Sequence, residues 1–140
     1  MIVSDIMTKD PVVCTPEVTL LKCAQLMSEY DCGEIPVVNT IEEKKILGVI
    51  TDRDITYRGV AKNLIPSSSI VEECMSKIKY TLSKDDSLEK CIKIMADNQV
   101  RRLPVVDENF SCIGIVSQAQ ISRFCSNTTS GNLLREISTP

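Results

Sequence analysis

The chain says nearly everything twice. "SDIM" at 4–7 aligns with "EECM" at 72–75, "TLLKCAQLM" at 19–27 with "SLEKCIKIM" at 87–95, and "EIPVV" at 34–38 with "RLPVV" at 102–106. These pairs share one offset of 68 residues, from Met7 to Met75 and from Pro36 to Pro104. Beyond the proline the offset falls to 66, from Gly48 to Gly114. The two missing residues come out of "NTIEEKKIL" and "DENFSCI", polar, turn-like segments where length changes cost little. A duplication on this scale requires one supersecondary unit made twice.

Each copy reads as β-α-β-β-α. A short helical lead-in ends at Met7 or Met75, and a strand follows near 11–15 or 79–83. Helices are expected over 19–31 and 87–98. Leu20, Cys23, Ala24 and Met27, like Leu88, Cys91, Ile92 and Met95, fall at i, i+3, i+4 and i+7. Thr19 and Ser87 cap them, and Gly33 stands just past the first. Apolar runs at 35–38 and 46–51, and at 103–106 and 112–117, read as buried strands joined by polar hairpins. A last helix follows Thr51 or Ser117. The expected organisation is motif 1 over 1–61, linker "KNLIPSSS" over 62–69, motif 2 over 70–124 and a tail over 125–140.

The fold class is therefore α+β, a tandem repeat with α/β-type connections. One such small sheet cannot bury both of its faces alone. Two copies packed with pseudo-two-fold symmetry can, with clefts where the copies meet, and clefts at such junctions are favoured ligand sites. In the tail, Leu133, Leu134 and Ile137 suit one face of a short helix. It is either loosely docked or packed on a partner subunit.

Composition removes several classes of function. The 140 residues contain no histidine, so Ser-His-Asp and Cys-His catalysis and histidine-ligated metals are excluded. The seven cysteines form no C-x-x-C pair and read as reduced thiols in a cytoplasmic protein. A net charge of −3 and 4% aromatics give neither a basic stripe nor stacking platforms for nucleic acid. No signal peptide or membrane-spanning stretch is visible. Asn127-Thr128-Thr129 matches a glycosylation sequon that has no meaning without a secretory route.

The repeated phrases "GVITDRD" (48–54) and "GIVSQAQ" (114–120) carry the candidate chemistry. Thr51 and Ser117 stand where a strand hands over to a helix, whose free N–H groups and partial positive charge suit a phosphate. Asp54 follows one turn later, and a carboxylate can accept both hydroxyls of a ribose. The competing reading is a helix cap: Ser117-x-x-Gln120 fits a capping box, and Thr51-x-x-Asp54 resembles one. Both roles can coexist. Arg101 and Arg102 are either a solvated pair or an anion clamp, and on a strand they point to opposite sides.

The doubled "IPVV…GVITDRDI" and "LPVVDE…GIVSQAQI" resembles a CBS-domain pair, or Bateman module, over residues 1–124. That resemblance implies a regulatory fold binding adenosine-containing ligands: AMP, ADP or ATP, with NAD or S-adenosylmethionine as alternatives. It implies a first site with Thr51 on phosphate, Asp54 on ribose, Pro11, Val12 and Ile35 around adenine, and Arg101 reaching in. It implies a second site with Ser117, walls at Tyr80 and Leu103, and Arg102 near the phosphates. Gln120 departs from the pattern, having one acceptor oxygen and no charge, so the second site should be weaker. The resemblance further implies a homodimer and an effector protein that reads the ligand's effect. The rival is a structural homodimer with vestigial clefts. An enzyme is not expected, because Cys14 and Cys32 are the only nucleophile candidates near Asp54 and neither has an activating base.

Overall fold

The computed structural model describes residues 1–125 and 127–138, without the side chains of Asn127 and Thr128. The sequon therefore falls largely outside the described side chains, and the ends of the tail at 126, 139 and 140 fall outside the described residues. In chain order the elements are α1 (Val3–Ile6), β1 (Thr8–Lys9), α2 (Leu20–Tyr30), β2 (Glu34–Val38), β3 (Ile46–Thr51) and α3 (Asp52–Asp54). A π turn (Ile55–Gly59) and a 3-10 turn (Val60–Lys62) prolong α3, and a second 3-10 turn covers Val71–Glu73. Then come β4 (Ser76–Lys77), β5 (Leu82–Ser83), α4 (Leu88–Asn98), β6 (Arg102–Val106), β7 (Cys112–Ser117), α5 (Gln118–Phe124) and α6 (Asn127–Ile137). The fold is mixed α+β. No helix among the described residues is long and apolar enough to cross a membrane.

The chain forms two compact units that exchange their lead-ins. One holds Pro11–Lys79 and Asn109–Cys112; the other holds Met1–Asp10, Tyr80–Glu108 and Ile113–Pro140. The unit built on the first repeat therefore contains the second repeat's lead-in, and the reverse.

In the first-repeat unit, β3 pairs antiparallel with β2, and β4 is added to the far side of β3 through Gly48↔Lys77 and Val49↔Ser76. Cys14 makes a parallel bridge to Val37 on the other flank. The sheet in the second-repeat unit runs β1-β7-β6-β5, the same arrangement displaced along the chain. Here β1 joins β7 through Thr8↔Ile115 and Lys9↔Gly114, and β5 joins β6 in parallel through Leu82↔Val105. The expected strand at 11–15 shrinks to the single bridge at Cys14. Pro11 and Pro16, which carry no N–H, bracket that stretch and cannot donate to a ladder. The strand expected at 79–83 is confined to Leu82–Ser83.

Two glycines make the added strands possible. A Cβ on Gly48 would stand against the Ser76 carbonyl oxygen and 2.6 Å from the Met75 methyl. On Gly114 it would meet Met7 Sδ at 2.6 Å and the Thr8 carbonyl oxygen at 3.0 Å. Each repeated "GVI" or "GIV" phrase thus marks where a neighbouring backbone crosses its strand.

The long helices follow their local code. The Thr19 and Ser87 hydroxyls accept from the Lys22 and Lys90 N–H groups, each at 3.1 Å. Leu20, Cys23 and Met27 are buried on α2, as are Leu88, Cys91 and Met95 on α4. The helices end on left-handed Asp31 and Gln99, not on Gly33, and the strain of a side chain there is borne by the N–H bonds from Cys32 and Val100 back to Met27 and Met95.

The described part of the tail packs on its own unit. α6 lies on α4, and Leu133 and Ile137, 2% and 6% exposed, enter the core with Leu88, Cys91 and Met95. Leu134 points away and is exposed.

Candidate functional site: two helix entrances with different polar circuits

The first entrance belongs entirely to the first-repeat unit. β3 ends at Thr51, which lies opposite Glu34 in the β2–β3 register. Thr51 Oγ1 accepts the Asp54 N–H at 3.0 Å, and Asp54 Oδ2 accepts the Thr51 N–H at 3.0 Å. The capping reading is therefore correct for this pair. The other oxygen, Asp54 Oδ1, stands 3.9 Å from Arg58 Nη1, and the Asp54 side chain is 15% exposed. Arg58 Nη1 also lies within hydrogen-bond distance of Cys74 O (3.2 Å), Met75 O (3.1 Å) and Ser76 Oγ (3.0 Å).

The second entrance lies in the other unit. The Gln120 N–H donates to Ser117 Oγ at 3.3 Å, and Gln120 Oε1 accepts the Ser117 N–H at 2.7 Å and its hydroxyl at 3.2 Å. The remaining end of the amide donates to Thr8 Oγ1. Gln120 is only 8% exposed, so its amide is committed within the protein. Thr8 is the repeat counterpart of Ser76. Both entrances reach the lead-in hydroxyl, one through an arginine and one directly.

The other expected site residues are placed unevenly. Pro11 and Val12 are half-buried in the first-repeat unit, and Val12 packs on its core. Ile35 is fully buried with Cys14, Leu20 and Val37, and Leu103 is equally buried with Met95 and Val105. These two expected adenine walls are core side chains here. Tyr80 is exposed and Arg102 half-buried, both in the second-repeat unit. Arg101 also belongs to that unit; its side chain is exposed and its carbonyl accepts the Gln118 N–H at 2.9 Å. Arg58 was not singled out from the sequence. The available signal was its i+4 spacing from Asp54, a spacing that suits an ion pair.

Two of the buried thiols, Cys14 and Cys91, are held away from the nucleophilic thiolate form, whereas the hydrogen bond with Cys14 lowers Cys23. A hydrogen bond with Cys23, burial and nearby negative charge push Cys14 well above the ordinary thiol range. Burial, with Asp86 and Cys125 adding to it, raises Cys91 from 9.0 to about 12. Among the described residues, no three His, Cys, Asp or Glu side chains gather to hold a metal ion. A cavity of about 530 Å³ in the second-repeat unit is lined by Met1, Leu88, Glu89, Ile92, Cys125 and Thr129, among others, and by none of the expected site residues.

The family model of the CBS domain matches residues 3–60 and again 71–127. The CBS domain-containing protein YhcV of Bacillus subtilis is 36% identical over 137 residues, covering 97% of this chain and 94% of that protein. The crystal structure of Hypoxic Response Protein I with two coordinated zinc ions aligns with a TM-score of 0.80 at 31% identity, over 90% of this chain and 100% of that one. The CBS domain pair of protein MJ0100, in complex with 5-methylthioadenosine and S-adenosyl-L-methionine, aligns with a TM-score of 0.79 at 27% identity, over 89% and 94% of the two chains.

Proposed function

The chain belongs to the CBS-domain family, with two copies of the domain in tandem, and on that premise we propose that it is a regulatory module binding an adenosine-containing ligand at the entrance formed by Thr51 and Asp54. The observation that carries this reading is the state of the Asp54 carboxylate. One oxygen completes the helix cap, while Oδ1 keeps lone pairs for a ribose hydroxyl because Arg58 stands beyond hydrogen-bond distance. The phosphate end rests on the Thr51 hydroxyl and the partial positive charge at the start of α3, whose first three N–H groups are taken by Gly33 O, Asp52 Oδ1 and Thr51 Oγ1. MJ0100, a similar CBS domain pair, was crystallised with two adenosine derivatives. AMP, ADP and ATP are the first ligands in this reading, followed by NAD and S-adenosylmethionine, with Pro11 and Val12 of the same unit completing the site. The entrance at Ser117 and Arg102 is the weaker one, because Gln120 spends its amide inside the protein. The output passes through a change of conformation or of oligomeric state in a homodimer, read by an effector protein. No catalysis belongs to this reading.

A second reading has two observations in its favour. Both hydroxyl–acceptor pairs satisfy each other as capping boxes, and Ile35 and Leu103 are closed into cores. That suits a structural homodimer with vestigial clefts.

Thermal unfolding with each ligand separates the two. A ligand at 100 times its Kd stabilises by about 2.7 kcal/mol. The regulatory reading expects at least one adenosine compound to raise the midpoint of the native protein. It expects that rise to vanish in Asp54→Asn, which keeps a cap acceptor but loses the carboxylate. No shift with any of the five compounds contradicts the regulatory reading and favours the structural one.

A further inference from the structure

We infer that Arg58 is a positioning residue that makes the state of Asp54 and the docking of β4 a single equilibrium. The inference rests on the reading of Asp54 as the ligand-facing carboxylate, and it names how occupancy of that site is transmitted.

The geometry forms a closed circuit within one unit. Thr51 donates its N–H to Asp54 Oδ2, and Asp54 Oδ1 faces the Arg58 guanidinium. Arg58 reaches the carbonyls of Cys74 and Met75 and the hydroxyl of Ser76. Ser76 pairs with Val49 on β3, two residues before Thr51. The Arg58 side chain is 51% exposed, so a flexible cation is held by convergent acceptors and not by burial. All four acceptors converge on one nitrogen, Nη1, whose two N–H groups they share, so a change at any one of them redistributes the donors among the rest.

The second repeat closes the corresponding circuit without a cation. Gln120 joins Ser117 to Thr8 directly, and Thr8 pairs with Ile115, two residues before Ser117. At the counterpart of Arg58 stands Phe124, whose side chain is exposed. A buried amide bonded at both ends has no oxygen to surrender to a ligand. A carboxylate oxygen that faces a cation across 3.9 Å keeps lone pairs that can accept a ligand hydroxyl without displacing Arg58. The first circuit is therefore responsive, and the second is a fixed tie.

Linkage sets the direction. A ligand that favours the ordered Asp54–Arg58 arrangement must also favour docked β4, and docked β4 must favour the ligand by the same factor.

Hydrogen exchange of the peptide covering 74–78 tests this in two arms. The first uses the free protein in a cycle of Asp54→Asn, Arg58→Gln and the double variant, with Arg58→Lys as the conservative control. We expect each single change to accelerate exchange at Ile78, whose N–H is bonded to Leu47 O on the neighbouring strand, and the double change to go no further than the larger single. Arg58→Lys should restore only part of the protection. Additive effects, or no effect of Asp54→Asn, overturn the inference whether or not any ligand binds. The second arm adds AMP or S-adenosylmethionine. Exchange at 74–78 should slow about fivefold or more, the low end of measured site-to-site couplings, while the 7–10 peptide stays unchanged. The slowing should disappear in Arg58→Gln. Slowing that persists there, or that reaches 7–10 equally, contradicts the relay. Absence of ligand binding sinks the proposed function but leaves the first arm to decide the circuit.

Discussion

Gln120 donates its side-chain amide to Thr8 Oγ1, while its repeat counterpart Asp54 reaches the counterpart hydroxyl, Ser76 Oγ, only by way of Arg58. The chemistry of the two end groups accounts for the difference. An amide carries an acceptor and donors, so it can take the Ser117 N–H and give to Thr8. A carboxylate only accepts, so in the first circuit a cation supplies the donors. Gln120→Ala removes the acceptor of the half-buried Ser117 N–H and the donor to the exposed Thr8 hydroxyl. We expect a loss of about 0.5–1.5 kcal/mol, the net worth of an ordinary hydrogen bond, measured as a lower urea midpoint at unchanged slope.

The two strand glycines should not tolerate alanine equally. At Gly48 the first obstacle is a backbone carbonyl, which cannot step aside, whereas at Gly114 the first is the flexible thioether of Met7. Gly48→Ala should cost at the upper end of, or beyond, the roughly 1–3 kcal/mol typical of overpacking, and Gly114→Ala should cost less. Paired thermal melts of the two variants give the order directly.

The tail helix carries part of the second-repeat core. Leu133→Ala should destabilise by about 2–5 kcal/mol, the range for a buried leucine. Leu134→Ala, at an exposed position one residue away, should stay within about 0.5 kcal/mol. Equal effects would mean that α6 does not dock on α4.

Alkaline pH should weaken the fold through its thiols. Burial raises Cys91 in the folded state from 9.0 to about 12. Above pH 9 the unfolded chain gives up this proton and the folded one keeps it, so stability falls as pH rises towards 12. One such thiol contributes a slope of about 1.4 kcal/mol per pH unit. The loss is absent below pH 9. Urea unfolding at pH 8 and pH 10 should show it, and Cys91→Ala should flatten the slope.

What was legible in the sequence was what local pattern encodes. The duplication, the 3.6-residue periodicity of Leu20–Cys23–Met27 and Leu88–Cys91–Met95, and the Thr19 and Ser87 caps gave both long helices to within a residue or two. The hydroxyl-plus-three spacing likewise anticipated the pairing of Thr51 with Asp54 and of Ser117 with Gln120. The exchange of lead-ins was not legible, because β1 and β4 are two residues long and find partners by tertiary placement. Thr8 pairs with Ile115, a distance along the chain that no window of sequence spans. Gly48 and Gly114 were the available clue, as glycine inside a strand marks a close backbone. Arg58 was missed because three of its four partners are 16–18 residues away and two of them are carbonyls, which leave no mark in sequence. Ile35 and Leu103 were carried over from a family pattern as cleft walls, while their apolar, β2 and β6 positions equally suit a core.

The central claim is that Asp54, and not its counterpart, receives the ligand. Calorimetric titration of AMP, followed by S-adenosylmethionine, into the native protein, Asp54→Asn and Gln120→Ala tests it most directly. The account predicts saturable binding near one ligand per chain, lost in Asp54→Asn and kept in Gln120→Ala. Binding that survives Asp54→Asn but disappears in Gln120→Ala would place the ligand at Ser117 and Arg102 and contradict the account.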